Sequence, residues 1–165
     1  MILAVFYVDG QSIGNQLRGV PRKARIAVVY LPSPSPPFDH TQSRVISEEI
    51  GDKTNNEAEY HALLQLLSLL SARWTGNDGK IPSQLGEVRI RSDSDLLVNQ
   101  VNGEYRVKEE RLLKLRDEAR ELIDKLGSIA LEWVPREQNY AGLWLEGKWK
   151  GIRVELEQFL PKIQG

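Results

Sequence analysis

The chain has 165 residues, with 22 Lys plus Arg against 23 Asp plus Glu, a net charge of -1 and no cysteine. A length of this order fits one domain around a single core, so residues 1–165 are expected to fold as one unit; disulfide scaffolds and thiolate metal sites are excluded. The balanced charge also excludes a globally basic nucleic-acid binder, so any such partner has to be held by a local patch.

The opening MILAVFYVDGQ has no basic leader, and its short apolar stretch runs into Asp9. It reads as neither signal peptide nor membrane span, and a soluble, cytoplasmic protein is the expectation. Ile2 to Val8 is continuous, β-branched and aromatic, which predicts a central strand buried on both faces. Ala24 to Leu31 predicts a second strand and Gln42 to Ile50 a more polar third one nearer the edge. The prolines of the intervening LPSPSPPFDH forbid regular pairing and predict a stiff hairpin loop. A helix is predicted over Asn56 to Trp74, then a Gly/Pro-rich loop, TGNDGKIPSQLG, and a fourth strand in GEVRIRSD. SDLLVNQVNG predicts a short helix stopped by Gly103, and KEERLLKLRDEARELIDKLG a long amphipathic one stopped by Gly127. In SIALEWVP, Ile129, Leu131 and Trp133 alternate inward, and GIRVELEQFLPK predicts a last short helix. Antiparallel strands followed by right-handed crossovers give an α/β fold with a mixed five-stranded sheet flanked by helices.

Glu57 and Glu59 lie two residues apart at the start of the first helix, so they point in different directions. From Glu59 the helical face continues through Ala62, Leu63, Leu66 and Leu70; from Glu57 it continues through His61, Leu64, Gln65 and Ser68. Glu59 is therefore the carboxylate on the buried face, where it must be paired, protonated or bound to a cation. Thr54, Asn55 and Asn56 are N-cap candidates, and taken alone Glu59 reads equally well as a cap or rim residue.

Asp9 ends the first predicted strand and Asp93 the fourth. If those strands are parallel neighbours, both aspartates stand at one sheet end with Glu59 facing them. Three converging carboxylates repel one another unless a cation holds them, and an all-oxygen set favours Mg²⁺ or Mn²⁺.

VDGQSIGN at 8–15, TNNEAEYHALL at 54–64, RSDSDLLVNQVNGEY at 91–105 and EWVPREQN at 132–139 together resemble type 1 ribonuclease H, in its compact archaeal-like branch. The resemblance runs in register along nearly the whole chain. It implies the ribonuclease H-like fold and an endoribonuclease that cuts the RNA strand of RNA–DNA hybrids with two divalent ions, leaving 5′-phosphate and 3′-hydroxyl ends; a monomer is expected. It also implies catalytic, metal-binding carboxylates at Asp9, Glu59 and Asp93, the same glutamate that the helix face selects. Asn55 and Asn56 match positions near the 2′-hydroxyl groove, where a side-chain amide can both donate and accept. Asn15 and Thr54 match a pocket for a DNA-strand phosphate. Gly10 falls among the substrate-binding positions, and Arg136 and Gln138 in a loop that assists metal and product exchange.

The chain departs from the pattern in three places. QLRGVPRKAR replaces the usual Pro/Gly-rich turn, and Asp95 stands where an amide is common. The fourth carboxylate, expected four residues beyond Asn139, is Leu143 here, and no Asp follows Asp124. Glu146 from a displaced chain or the amide oxygen of Asn139 are the candidate substitutes; otherwise the ligand is lost and a preference for Mn²⁺ is expected. Two other readings share the fold: a non-catalytic nucleic-acid-binding module and a DNA nuclease or integrase.

Overall fold

The computed structural model describes residues 4–14, 19–32 and 42–162; Asn15, most of QLRGVPRKAR's first half and the proline-rich LPSPSPPFDH lie largely outside them. The elements in chain order are β1 (Ala4–Ile13), β2 (Lys23–Leu31), β3 (Arg44–Gly51), α1 (Asn55–Arg73), β4 (Val88–Ser92), α2 (Asp95–Val101), α3 (Glu110–Leu126), β5 (Ile129–Trp133), α4 (Tyr140–Leu145), β6 (Ile152–Arg153) and α5 (Leu156–Phe159).

The sheet order is β5-β4-β1-β2-β3-β6. β1 is flanked on both sides, antiparallel to β2 and parallel to β4, which explains its unbroken apolar run. It also runs past Asp9 to Ile13, because β2 goes on pairing with it as far as Ile13↔Lys23. Pairing with β4 stops at Tyr7↔Arg91, so the two strands part just before Asp9 and Asp93. The sheet has six strands rather than the expected five: part of the tail predicted as helix, Ile152–Arg153, lies parallel to β3 from Arg44↔Ile152.

Alternating residues of β1 feed two cores. Ala4, Phe6 and Val8 pack under α1, with α2, α3 and α5 around it; Val5 and Tyr7 pack under Ala141 and Leu145 of the short α4. Trp144 and Leu145 thus belong to an internal helix that the periodicity, over so few residues, did not reveal. Glu59 lies on the buried face of α1 as expected: its companions Ala62, Leu63, Leu66 and Leu70 are fully buried. Leu64 on the Glu57 face is buried as well, because α1 lies between the sheet and α3. Trp133 does not alternate inward: it is 51% exposed at the end of β5, its indole N–H donating to the Asp93 carbonyl at 3.1 Å.

Candidate metal centre

Thr54 caps α1 with its hydroxyl accepting the Glu57 N–H at 3.1 Å, while the Glu57 carboxylate accepts the Thr54 N–H at 3.1 Å. Glu57 is therefore consumed by a capping box, and the next turn is free to carry Glu59 inward. Gly10 permits the approach. A Cβ there would lie 2.2 Å from the Ala58 carbonyl carbon, so the first turn of α1 rests directly on the β1 backbone and delivers Glu59 to Asp9.

Asp9, Glu59 and Asp93 each offer a carboxylate oxygen, and these oxygens lie within 4.8 Å of one another. Asp9 is 0% and Glu59 9% exposed, and Asp9 Oδ2 and Glu59 Oε2 have no hydrogen-bond partner among the described residues. Burial, then the Asp93 charge, pushes the Asp9 carboxyl up to about 7 against the opposing pull of Arg136. Burial, then Asp9, holds Glu59 well above the usual carboxylate range. Hard oxygen donors, two of them buried and lacking a partner, fit a divalent cation well.

These shifts fix a pH dependence. Without metal, Asp9 keeps its proton when folded between its ordinary 3.8 and about 7, whereas the unfolded chain loses it. Its contribution to stability is fully present below 3.8 and is lost as the pH rises through about 7. In EDTA, the melting temperature is therefore expected to fall as the pH is raised from about 5 to 8, and Asp9→Asn to flatten that dependence. Thermal melts of both proteins across the range check it.

Asn139 is fully buried. Its amide nitrogen donates to Asp93 Oδ1 at 2.9 Å and to the Val8 carbonyl at 3.0 Å, and its oxygen caps α4 by accepting the Ala141 N–H at 3.2 Å. That oxygen is turned to the helix, so in this arrangement Asn139 orients Asp93. Among the described residues Glu146, at the α4 C-terminus, is linked to the cluster through Arg136, whose Nε and Nη2 both donate to Glu146 Oε1. Arg136 Nη1 extends to Asp9 Oδ1 at 3.2 Å and Asp93 Oδ2 at 2.9 Å. Leu143 is half-buried and supplies no ligand.

Asn55 and Asn56 are exposed in the first turn of α1. Asn55 Oδ1 accepts the Ser12 N–H at 2.7 Å, which leaves the Asn55 amide as a donor. Gln138 is exposed in a short 3₁₀ turn beside Arg136. Asp95 accepts from Asn99 at 2.9 Å and Tyr105 at 3.0 Å, so the departure at this position braces the loop after α2. The contacts of Arg136 with both aspartates had no signature in the sequence: spacing from a conformationally irregular loop gives no direction for a side chain.

The profile of the reverse transcriptase-like family matches residues 42–145, well over half of the chain. Among solved structures, LC11-RNase H1 in complex with an RNA/DNA hybrid is 30% identical with a TM-score of 0.64, covering 83% of this chain and 88% of that one. RNase H1 of the halophilic archaeon Halobacterium salinarum is 27% identical with a TM-score of 0.62, covering 84% and 90%. The Bifunctional protein Rv2228c of Mycobacterium tuberculosis is 35% identical over 102 residues, 61% of this chain but 25% of that protein. The chain thus spans about a quarter of the curated relatives it matches. The N-terminal RNase H domain of Rv2228c, solved as a fusion with maltose binding protein, is 29% identical with a TM-score of 0.64, covering 90% of this chain and 94% of that one. Sheet, helices and carboxylate cluster together define a ribonuclease H-like protein. The chain belongs to the reverse transcriptase-like family, in its type 1 ribonuclease H branch.

Proposed function

We propose that the protein is an endoribonuclease that hydrolyses the RNA strand of RNA–DNA hybrids, leaving 5′-phosphate and 3′-hydroxyl ends. The observation that carries this reading is the meeting of Asp9, Glu59 and Asp93 within 4.8 Å, with unpartnered buried oxygens, in a type 1 ribonuclease H chain. That a relative was solved with an RNA/DNA hybrid supports the substrate class.

Asp9, Glu59 and Asp93 would hold two divalent ions, Mg²⁺ or Mn²⁺. Such ions, when bound, lower the pKa of an attacking water and stabilise the departing oxygen. The chain's own residues do the positioning. Asn139 fixes the Asp93 carboxylate, and Gly10 lets α1 carry Glu59 into place. The Asn55 amide nitrogen, left to donate, and the exposed Asn56 would read a 2′-hydroxyl, the group that separates RNA from DNA. Thr54, with Asn15 outside the described residues, would take a phosphate of the DNA strand; the Thr54 hydroxyl accepts within the cap and keeps its proton to donate. Arg136 and Gln138 would face the substrate from the loop after β5. A monomer acting in the cytoplasm is part of this proposal. No described helix is long and apolar enough to cross a membrane.

A second reading, a hybrid-binding module without catalysis, is favoured by Leu143 at the fourth ligand position. One set of assays separates the readings: incubation with Mg²⁺ or Mn²⁺ of an RNA–DNA hybrid, an all-DNA duplex, and a DNA duplex carrying a short run of ribonucleotides. The proposal expects the hybrid and the ribonucleotide-bearing duplex to be cut, the all-DNA duplex to survive, and binding to weaken steeply with salt. Equal cutting of all three supports a DNA nuclease, and binding without cutting in either metal supports the module.

A further inference from the structure

Arg136 already puts a positive charge where a metal ion would sit. A single nitrogen, Nη1, bridges the two aspartates at 3.2 and 2.9 Å, while the rest of the guanidinium is held away from the cluster by Glu146. Glu146 in turn receives Lys148 Nζ at 3.0 Å, which fixes the tether at the rim. Gly142 leaves room for this arm: a Cβ there would stand 3.1 Å from Arg136 Nη1 and 3.2 Å from Asp9 Oδ2. Leu143 then places no carboxylate beside Asp9, and the acidic residue of this helix end lies at Glu146, on the arginine.

We propose that Arg136 is a tethered internal cation that competes with the divalent ion for Asp9 and Asp93, with Glu146 as its anchor and not a metal ligand. The inference rests on the metal-site reading above. A guanidinium nitrogen and a divalent ion held on the same two carboxylates repel each other strongly at these distances, even where the ion takes the oxygens that Nη1 leaves free, so ion binding has to push Nη1 away. Arg136 neutralises only one side of the cluster. Asp9 Oδ2 and Glu59 Oε2 stay without a donor, and a small ion reaching all three carboxylates satisfies what the arginine does not. The Nε and Nη2 bonds to Glu146 keep the displaced arm next to the centre, so its charge stays available on the substrate side.

The test is Mn²⁺ binding by calorimetry, with melting temperatures in EDTA, for the parent, Arg136→Gln, Arg136→Met and Glu146→Gln. Both Arg136 variants are expected to bind Mn²⁺ at least about tenfold tighter, to melt lower than the parent in EDTA and to gain more from Mn²⁺. Glu146→Gln is expected to keep an affinity near the parent's. A merely structural brace moves the affinity the other way: weaker or unchanged Mn²⁺ binding in both Arg136 variants, with the parent binding, overturns the inference alone. A tenfold or greater loss in Glu146→Gln makes Glu146 a ligand and overturns its role as anchor. Absence of Mn²⁺ binding in the parent and all variants removes the metal-site reading itself.

Discussion

Exchange of Glu59 for Gln, or of Asp9 or Asp93 for Asn, is expected to lower hybrid cleavage at least about a thousandfold, equivalent to about 4 kcal/mol of lost transition-state stabilisation. Each exchange removes one charge from a set whose reach to a common point is limited to the 4.8 Å cluster. An amide can still fill the space, and at Asp9 or Glu59 it supplies a donor to a neighbouring oxygen that lacks one. The folded state is therefore kept, and in EDTA the Asp9 and Glu59 variants are expected to melt above the parent as repulsion is relieved. Glu57→Gln is the control. It touches only the capping box, for a cost of up to about 1 kcal/mol, and activity is expected to survive. Single-turnover cleavage rates for the four variants, read beside melting curves, check both halves of the expectation.

A second large effect is expected at Gly10. An added methyl would sit 2.2 Å from the Ala58 carbonyl carbon and 2.5 Å from the Glu59 nitrogen, both backbone atoms that cannot rotate away. Gly10→Ala has to push the start of α1 off β1, for an expected loss of about 3 kcal/mol or more, at the upper end of overpacking costs. The displaced turn carries Glu59, so hybrid cleavage is expected to fall with stability. Denaturant titration and a cleavage rate below the unfolding transition measure the two separately. Near-parent stability together with near-parent activity would mean that α1 does not rest on this glycine.

The resemblance assigned Gly10 to substrate binding; the close approach of α1 gives it a packing role that spacing alone could not reveal. Glu59 was legible because helical periodicity converts sequence position into direction, and a carboxylate among Ala62, Leu63, Leu66 and Leu70 stands out on physical grounds. Asp9 and Asp93 were legible because a buried strand followed by a crossover fixes which ends meet. The loop after β5 offered no such rule. Arg136 sits in a 3₁₀ turn, and its bridge to Asp9 spans more than a hundred residues of sequence. Trp133 failed for a related reason: β5 is an edge strand, and its last residue passes beyond the core that alternation presumes. The two-residue β6 is equally invisible, since its partner β3 is set by tertiary packing and not by any local period.

The most direct measurement labels each strand of one RNA–DNA hybrid separately and follows both with Mn²⁺, with Mg²⁺ and with EDTA. Cuts are expected in the RNA strand only, with 5′-phosphate products, in at least one metal and none in EDTA. Cuts in the DNA strand, cuts that persist in EDTA, or intact strands under all three conditions would contradict it.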